Sequence, residues 1–338
     1  MPLQDLKKRN HFIPITYLKG FLNDSDNLYM YKKGKIFFDN EMAENDRILK
    51  VRGVEGLKNI GVKNLLYIPE GAFEGDKNVF EDFFEDEIES KYSNFINFIN
   101  DNFYNVTLIM EEYHEYIIKL IATMLTRTLH SKFEIEEMYK VSMQVQHEFS
   151  EFDNDRKEII LREFKNKFPN VADTDFKKAI NSYDEMISKG DFEVSVPRNL
   201  FLKKMFKIME IKGQIISNMT IQILRNKTKS FFITSDNPAV YFVREDKVNI
   251  CQGHKSLGGP DTQLYFPLSK DLCLFLSRKK RNVLVGLDIT HENKKIIREV
   301  NNIISHNSKD FIYSPNQASF LKKFTKQHIP YPYRFRIS

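Results

Sequence analysis

A chain of 338 residues has room for two or three domains, or for one large domain with a helical insert, and its 51 Lys and Arg against 46 Asp and Glu leave a net charge of only +5. That mild excess permits nucleic-acid binding without arguing for it, while 29 Phe and 15 Tyr with no Trp describe a core filled largely by benzene rings. Two cysteines, Cys251 and Cys273, with no Cys-x-x-Cys, give neither a disulfide framework nor a thiolate zinc site, and no run approaches the ~20 apolar residues that cross a bilayer.

In chain order, residues 10 to 70 read as extended. Leu28-Tyr29-Met30-Tyr31 and Ile36-Phe37-Phe38 flank Lys32-Lys33-Gly34-Lys35 as a hairpin would. From about 76 the period changes: Phe80, Phe83, Phe84, Ile88, Tyr92, Phe95, Ile96 and Ile99 recur at threes and fours, as an amphipathic helix requires. A second helix is expected over about 110 to 149, through Tyr113, Tyr116, Ile117, Leu120, Ile121, Met124 and Leu125. Three more come next, over 155 to 168, 173 to 188 and 198 to 225, with Asp173 and Pro197 as start signals. After Arg225 come short apolar runs at 231–233, 240–243, 248–250, 264–266, 272–276 and 283–285, separated by turn residues, and then a helix over about 291 to 306 and a strand at 311–313. The expectation is an α+β fold. Long central helices would pack on a mostly antiparallel sheet built from the N-terminal and C-terminal strands, in three segments (1–72, 73–226 and 227–338) of one integrated globule.

Candidate chemistry starts at His11. Pro14 stiffens the backbone just beyond it and biases Ile13 toward extended geometry, so the imidazole sits on a defined strand or turn. A fixed imidazole serves as base, acid or metal ligand near neutral pH, and a packed, hydrogen-bonded histidine makes the same pattern. Thr234-Ser235-Asp236-Asn237-Pro238 places Asp236 where strand becomes turn, as a carboxylate base or metal ligand with Ser235 and Asn237 as partners; Asp-Asn-Pro is equally good turn chemistry.

Arg127 and His130, in the expected second helix, share a face as a phosphate-binding pair. They are separated by two residues, fewer than the helical RNases that use such a pair place between them. Glu81, Glu85 and Glu89 at i, i+4 and i+8 would stack on one face, either as a divalent-cation site or as a solvated acidic stripe. Glu210-Ile211-Lys212 matches the Glu-x-Lys of restriction-type nucleases but has helical period, and Cys251-Gln252-Gly253-His254 offers only two ligands. Basic residues crowd the C-terminal third: Arg278-Lys279-Lys280-Arg281, then Lys322, Lys323, Lys326, Arg334 and Arg336 beside Tyr331, Tyr333 and Phe335. That interleaving suits stacked bases and phosphates, or a solvated surface. Walker, Gly-x-Gly-x-x-Gly, His-Glu-x-x-His and Gly-x-Ser-x-Gly motifs are absent. Met1–Arg9 lacks the apolar core of a signal peptide, so cytoplasmic residence is expected.

The ordered set resembles a bacterial family catalogued as domain of unknown function 4238. Its members open on a His-(Tyr/Phe)-(Val/Ile)-Pro-x-x-Tyr-Leu-x-x-Phe block, matched by His11 through Phe21. A Glu-bearing helix follows, here around Glu81, then Arg-Thr at Arg127-Thr128 and Thr-Ser-Asp-Asn-Pro at Thr234 to Pro238. Phe-Pro-Leu-Ser comes next at Phe266 to Ser269, and a late helix with Asn301 or Asn302 leads to Tyr313-Ser314. The stretch around 150 to 190 would be particular to this member. The resemblance implies an accessory protein of bacterial defence islands, a toxin-like antiviral effector, and carries no established reaction.

It also turns scattered polar residues into one hypothetical set. His11, Glu81, Arg127 and Asp236 would converge on a cleft and cleave a phosphodiester or nucleotide, Asp236 and His11 doing acid–base or metal-ligand work and Arg127 neutralising the phosphate. Asn10, Tyr17, Ser235, Asn237, Arg278 and Lys280 would bind the substrate, with a divalent cation as the conceivable cofactor. The competing expectation is a non-catalytic module acting through a partner protein or nucleic acid, in which these motifs are separate caps and turns.

Overall fold

The computed structural model describes residues 6–33, 48–71, 76–151, 185–243, 257–278 and 286–326, with 162 and 182. The expected strands at 36–38, 248–250 and 283–285, the helix at 155–168 and most of that at 173–188 lie outside the described residues, as do Cys251 to His254, Lys280 and the basic-aromatic tail beyond 326.

β1 (Arg9–His11) leads through Pro14 into a short helix, α1 (Ile15–Lys19). β2 (Asn27–Lys32), β3 (Ile48–Arg52), α2 (Gly53–Leu57) and β4 (Val62–Asn64) complete the N-terminal part. Two helical turns therefore interrupt the segment read as wholly extended. Pro14 supplies the pre-set φ from which α1 starts, and Gly53, at φ +59°, opens α2.

The long aromatic helix is present but not uniform. α3 (Val79–Phe84) passes into a π-helical turn, Glu85–Glu89, and on into α4 (Ser90–Asp101). The expected second helix starts earlier and divides into α5 (Val106–Met124), capped by the Asn105 side chain on the Leu108 N–H, and α6 (Leu129–Glu151). Arg127 and Thr128 thus sit in a break between helices rather than inside one. The carbonyl of Arg127, which a continuing helix would use, instead accepts a 2.5 Å bond from the Tyr67 hydroxyl.

α7 (Arg198–Ile216) ends nine residues short of the expected Arg225. Asn218 bonds back to the Gln214 carbonyl, and Thr220–Asn226 forms β5, where buried Ile221 and Ile223 alternate as a strand requires. β6 (Thr234–Ser235), β7 (Val240–Val243), β8 (Thr262–Pro267), β9 (Leu272–Ser277), β10 (Gly286–Ile289), α8 (Lys295–Asn307), β11 (Phe311–Ser314) and α9 (Ser319–Lys326) make up the remainder.

The chain is α+β, with mixed and antiparallel sheets. A five-stranded sheet runs β10-β5-β9-β8-β7, antiparallel except where β10 lies parallel to β5. A four-stranded sheet, β3-β2-β11-β6, joins N-terminal to C-terminal strands, and β1 pairs with β4 alone. α8 covers the core with Ile297, Val300, Ile303 and Ile304, all buried against Phe232, Ile233, Val240 and Ile312. Its C-terminal carbonyls are held by a buried lysine: Lys33 donates to the Ser305 and Ser308 carbonyls at 2.7 and 2.8 Å and to Ser308 Oγ at 2.9 Å.

Two compact units are distinguished, one from Met1–Lys132 and Arg198–Arg334, the other from Phe133–Pro197 and Phe335–Ser338. All the strands among the described residues belong to the first. Within the second, Gln144 donates to the Ile187 carbonyl and Lys140 lies 5.2 Å from the Phe192 ring centre. No helix among the described residues is long and apolar enough to cross a membrane.

Candidate active site

The helix break delivers Arg127 into the interior with its side chain 0% exposed. Nη1 and Nη2 each donate to Glu89 Oε1 at 3.1 Å, Nη2 also donates to the His11 carbonyl, and the guanidinium lies 4.3 Å from the Phe84 ring centre. Burial works against its charge, but Glu89, Tyr67 and Glu81 outweigh that and hold its pKa above the ordinary arginine value. Arg127 Nε has no hydrogen-bond partner.

The π-helical turn decides which glutamates reach it. An added residue in the turn rotates the succeeding helix by about 100°. The expected single stripe is therefore broken: Glu89 faces Arg127, Glu85 takes Lys7 at 2.5 Å on the surface, and Glu81 turns inward. Glu81 lies in the field of Arg127 and receives a hydrogen bond from Asn10, while its Oε2 is buried without a partner. Burial raises its carboxyl to about 7 against the pull of Arg127. Asn10 itself is fully buried as a connector, donating to the Lys7 carbonyl at 2.8 Å and accepting from the Tyr67 N–H at 3.1 Å.

His11 is half-buried. Its Nε2 sits 3.2 Å from the Lys58 carbonyl, an acceptor only, so Nε2 carries the proton and Nδ1 is the basic nitrogen. Burial lowers its pKa, and the Lys58 carbonyl and Glu89 partly offset that. The loop beneath is tight: Gly61, at φ +62°, accepts the Phe12 N–H at 2.7 Å, and a Cβ there would come within 3.0 Å of Ile13.

Asp236 belongs to a second group. It is 5% exposed and accepts the backbone N–H groups of Lys309 (2.8 Å), Asp310 (2.5 Å) and Phe311 (3.0 Å), so both oxygens are spent on the turn that leads into β11. Burial pushes its carboxyl up to about 6 although these donors favour the anion. Ser235 Oγ accepts the Asn237 N–H, and Asn237 donates to the Asn307 carbonyl. Asn301 clamps the approach to β6, donating to the Phe231 carbonyl and accepting from the Ile233 N–H. Arg278 donates to the Gly258 carbonyl.

Tyr17 lies fully buried between motifs. Its hydroxyl donates to the Pro267 carbonyl at 2.7 Å and shares 2.6 Å with Thr234 Oγ1, and its ring stacks on Phe266 with 5.6 Å between centres. Three sequence motifs thus meet at one phenol.

The predicted set accordingly falls into two groups. His11, Glu81 and Arg127 lie together with Asn10, and Asp236 lies with Ser235 and Asn237; among the described residues no hydrogen bond joins Asp236 to the first three. Glu89 and Tyr67 were missed as members of the arginine's surroundings. Glu89 was visible as the third member of the acidic repeat, whereas nothing around Tyr67 marks it. No group of three or more His, Cys, Asp or Glu among the described residues is placed to hold a metal ion.

The model of the family described as Protein of unknown function (DUF4238) matches residues 9–318, and the chain belongs to that family. The match runs from the first strand to the residue before α9. No curated protein and no solved structure matches the chain.

Proposed function

We propose that the chain is a phosphodiester or nucleotide hydrolase, acting in the cytoplasm as a toxin-type effector of bacterial defence, with Glu81, Arg127 and His11 as its chemical group. The observation that carries this reading is the pair of orphaned atoms, Glu81 Oε2 and Arg127 Nε, buried in one another's field beside an imidazole whose proton affinity is lowered. Arg127 Nε donates to a non-bridging phosphate oxygen. His11 Nδ1 takes a proton from the attacking water as its oxygen bonds to phosphorus, and Glu81, protonated up to about pH 7, gives its proton to the departing oxygen. Asp236 holds the 309–311 turn and stands outside the chemistry.

The test is turnover of bis-p-nitrophenyl phosphate and of labelled RNA by the purified full chain. Glu81→Gln and His11→Ala are expected to lower kcat by about 10²–10⁴-fold with the circular dichroism unchanged. Absence of turnover by the unaltered chain, or full activity in Glu81→Gln, overturns the reading.

The second reading is a non-catalytic binding module. The complete enclosure of Arg127 and the use of both Asp236 oxygens by backbone favour it. It expects cellular activity to survive His11→Ala and Glu81→Gln.

A further inference from the structure

α5 and α7 lie side by side, and a cleft of about 750 Å³ opens between them. Its floor is apolar, from Ile118 and Ala122 of α5 and Met209 of α7, with the half-buried rings of Phe83 and Phe206 at one wall, 5.3 Å between centres. Its rim is cationic. Lys203, Lys204 and Lys207 follow one another along α7 and Lys119 faces them from α5, against Glu115 and Glu210. Lys119 is held by Glu87 at 2.6 Å and Lys207 by Glu210 at 2.8 Å. Among the described residues no ion pair or hydrogen bond engages Lys203 or Lys204, so two unpaired ammonium groups stand at the edge of an apolar, aromatic floor, with Glu115 the rim's unpaired carboxylate.

Phosphates that follow a lysine row while bases lie on ring faces are what single-strand grooves accommodate, and such grooves are tolerant of sequence because every base has a π-face. Among the described residues the lining's polar side chains are lysines and glutamates set at the rim, with no Asn, Gln or Arg to make a bidentate contact to a base edge. The cleft also communicates with the arginine cluster through one ring. Phe84 stacks on Phe206, 5.9 Å between centres at 24°, and is the ring against which the Arg127 guanidinium lies.

We propose that the cleft between α5 and α7 binds single-stranded nucleic acid, phosphates on Lys203 and Lys204 and bases against Phe83 and Phe206. This names the substrate class of the hydrolase proposed above, and in that respect rests on it.

The experiment is fluorescence anisotropy of the full chain with a fluorescein-labelled oligouridylate of about twelve nucleotides, a length within the known span of single-strand sites. Its arms are a duplex of equal length, a fluorescent long-chain fatty acid and an acidic amphipathic peptide. Binding of the single strand is expected to weaken at least 10-fold in Lys203→Glu/Lys204→Glu, with circular dichroism unchanged. In Lys203→Ala/Lys204→Ala the salt slope of log K should fall by about 1.4, two phosphates' worth. Unaltered affinity in both variants, equal affinity for the duplex, or preference for the fatty acid or peptide overturns the proposal. Binding that depends on the lysines in a chain that cleaves nothing removes the hydrolase and leaves the groove. Cleavage that is indifferent to them removes the groove alone.

Discussion

Tyr17 and Thr234, 217 residues apart, share a buried hydrogen bond of 2.6 Å, and the same hydroxyl reaches the Pro267 carbonyl. At this phenol the His-x-x-Pro block, the Thr-Ser-Asp-Asn-Pro segment and the Phe-Pro-Leu-Ser segment are all in contact. Burial raises the phenol's pKa well above the ordinary tyrosine value, so it stays a neutral donor. Tyr17→Phe keeps the ring on Phe266 and strands the buried Pro267 carbonyl, at a cost of about 1–3 kcal/mol. Urea denaturation should show an earlier midpoint with an unchanged slope; an unchanged midpoint contradicts the role given to the hydroxyl.

The Arg127–Glu89 pair should prove strongly coupled. Arg127→Met leaves Glu89, 22% exposed, beside Glu81 without its cation, and one-sided removal from a buried pair costs up to about 3–5 kcal/mol. Adding Glu89→Gln to Arg127→Met should recover part of that loss, since the remaining partner no longer carries charge. A double-mutant cycle in chemical denaturation reads the coupling, and simple additivity would mean the two groups do not interact as placed.

Asp236 predicts a local effect. Asp236→Ala leaves three part-buried N–H groups of 309, 310 and 311 without their acceptor, so stability should fall by about 1–3 kcal/mol, and amide exchange of those three residues should rise ahead of exchange in α8. Uniform acceleration across the molecule would argue against an anchor.

Glu81 governs a pH window. Its folded carboxyl holds a proton up to about 7, against 4.5 unperturbed, so the folded state binds more protons between those values. The stability this contributes is fully present below about pH 4.5 and is lost as pH rises through about 7, by up to about 3 kcal/mol. Glu81→Gln, neutral throughout, should therefore gain in Tm relative to the unaltered chain as pH rises from 4.5 to 7. A constant difference across that window would place Glu81 in water.

How legible the fold and site are in the sequence depends on where each signal resides. α8 reads from sequence because Ile297, Val300, Ile303 and Ile304 repeat the helical period against one core. The break at Leu125–Thr128 does not. No Gly or Pro marks it, the apolar period runs on through Met124 and Leu125, and the carbonyls of the break are taken by distant side chains, Leu125 by Lys212 and Arg127 by a tyrosine 60 residues away. β5 reads as part of α7 because Ile215, Ile216, Met219 and Ile223 also satisfy a helical period; strand pairing with β9 and β10 overrides it. Asp236 illustrates the limit at the site. Its type and position fit either a base or a turn anchor, and only its three backbone donors separate them.

The π-helical turn Glu85–Glu89 has a consequence for divergence within the family. It makes the facing of Glu89 toward Arg127 a matter of residue count rather than residue type. Excising Ile88, the one uncharged residue of the turn, would restore a regular helix, swing everything in α4 by about 100° relative to α3 and point the wrong side chain at the arginine, though every charge were kept. Point changes in this segment other than at Glu89 should thus be far better tolerated than a single-codon deletion, and homologues without the extra residue should carry their acidic partner one position away.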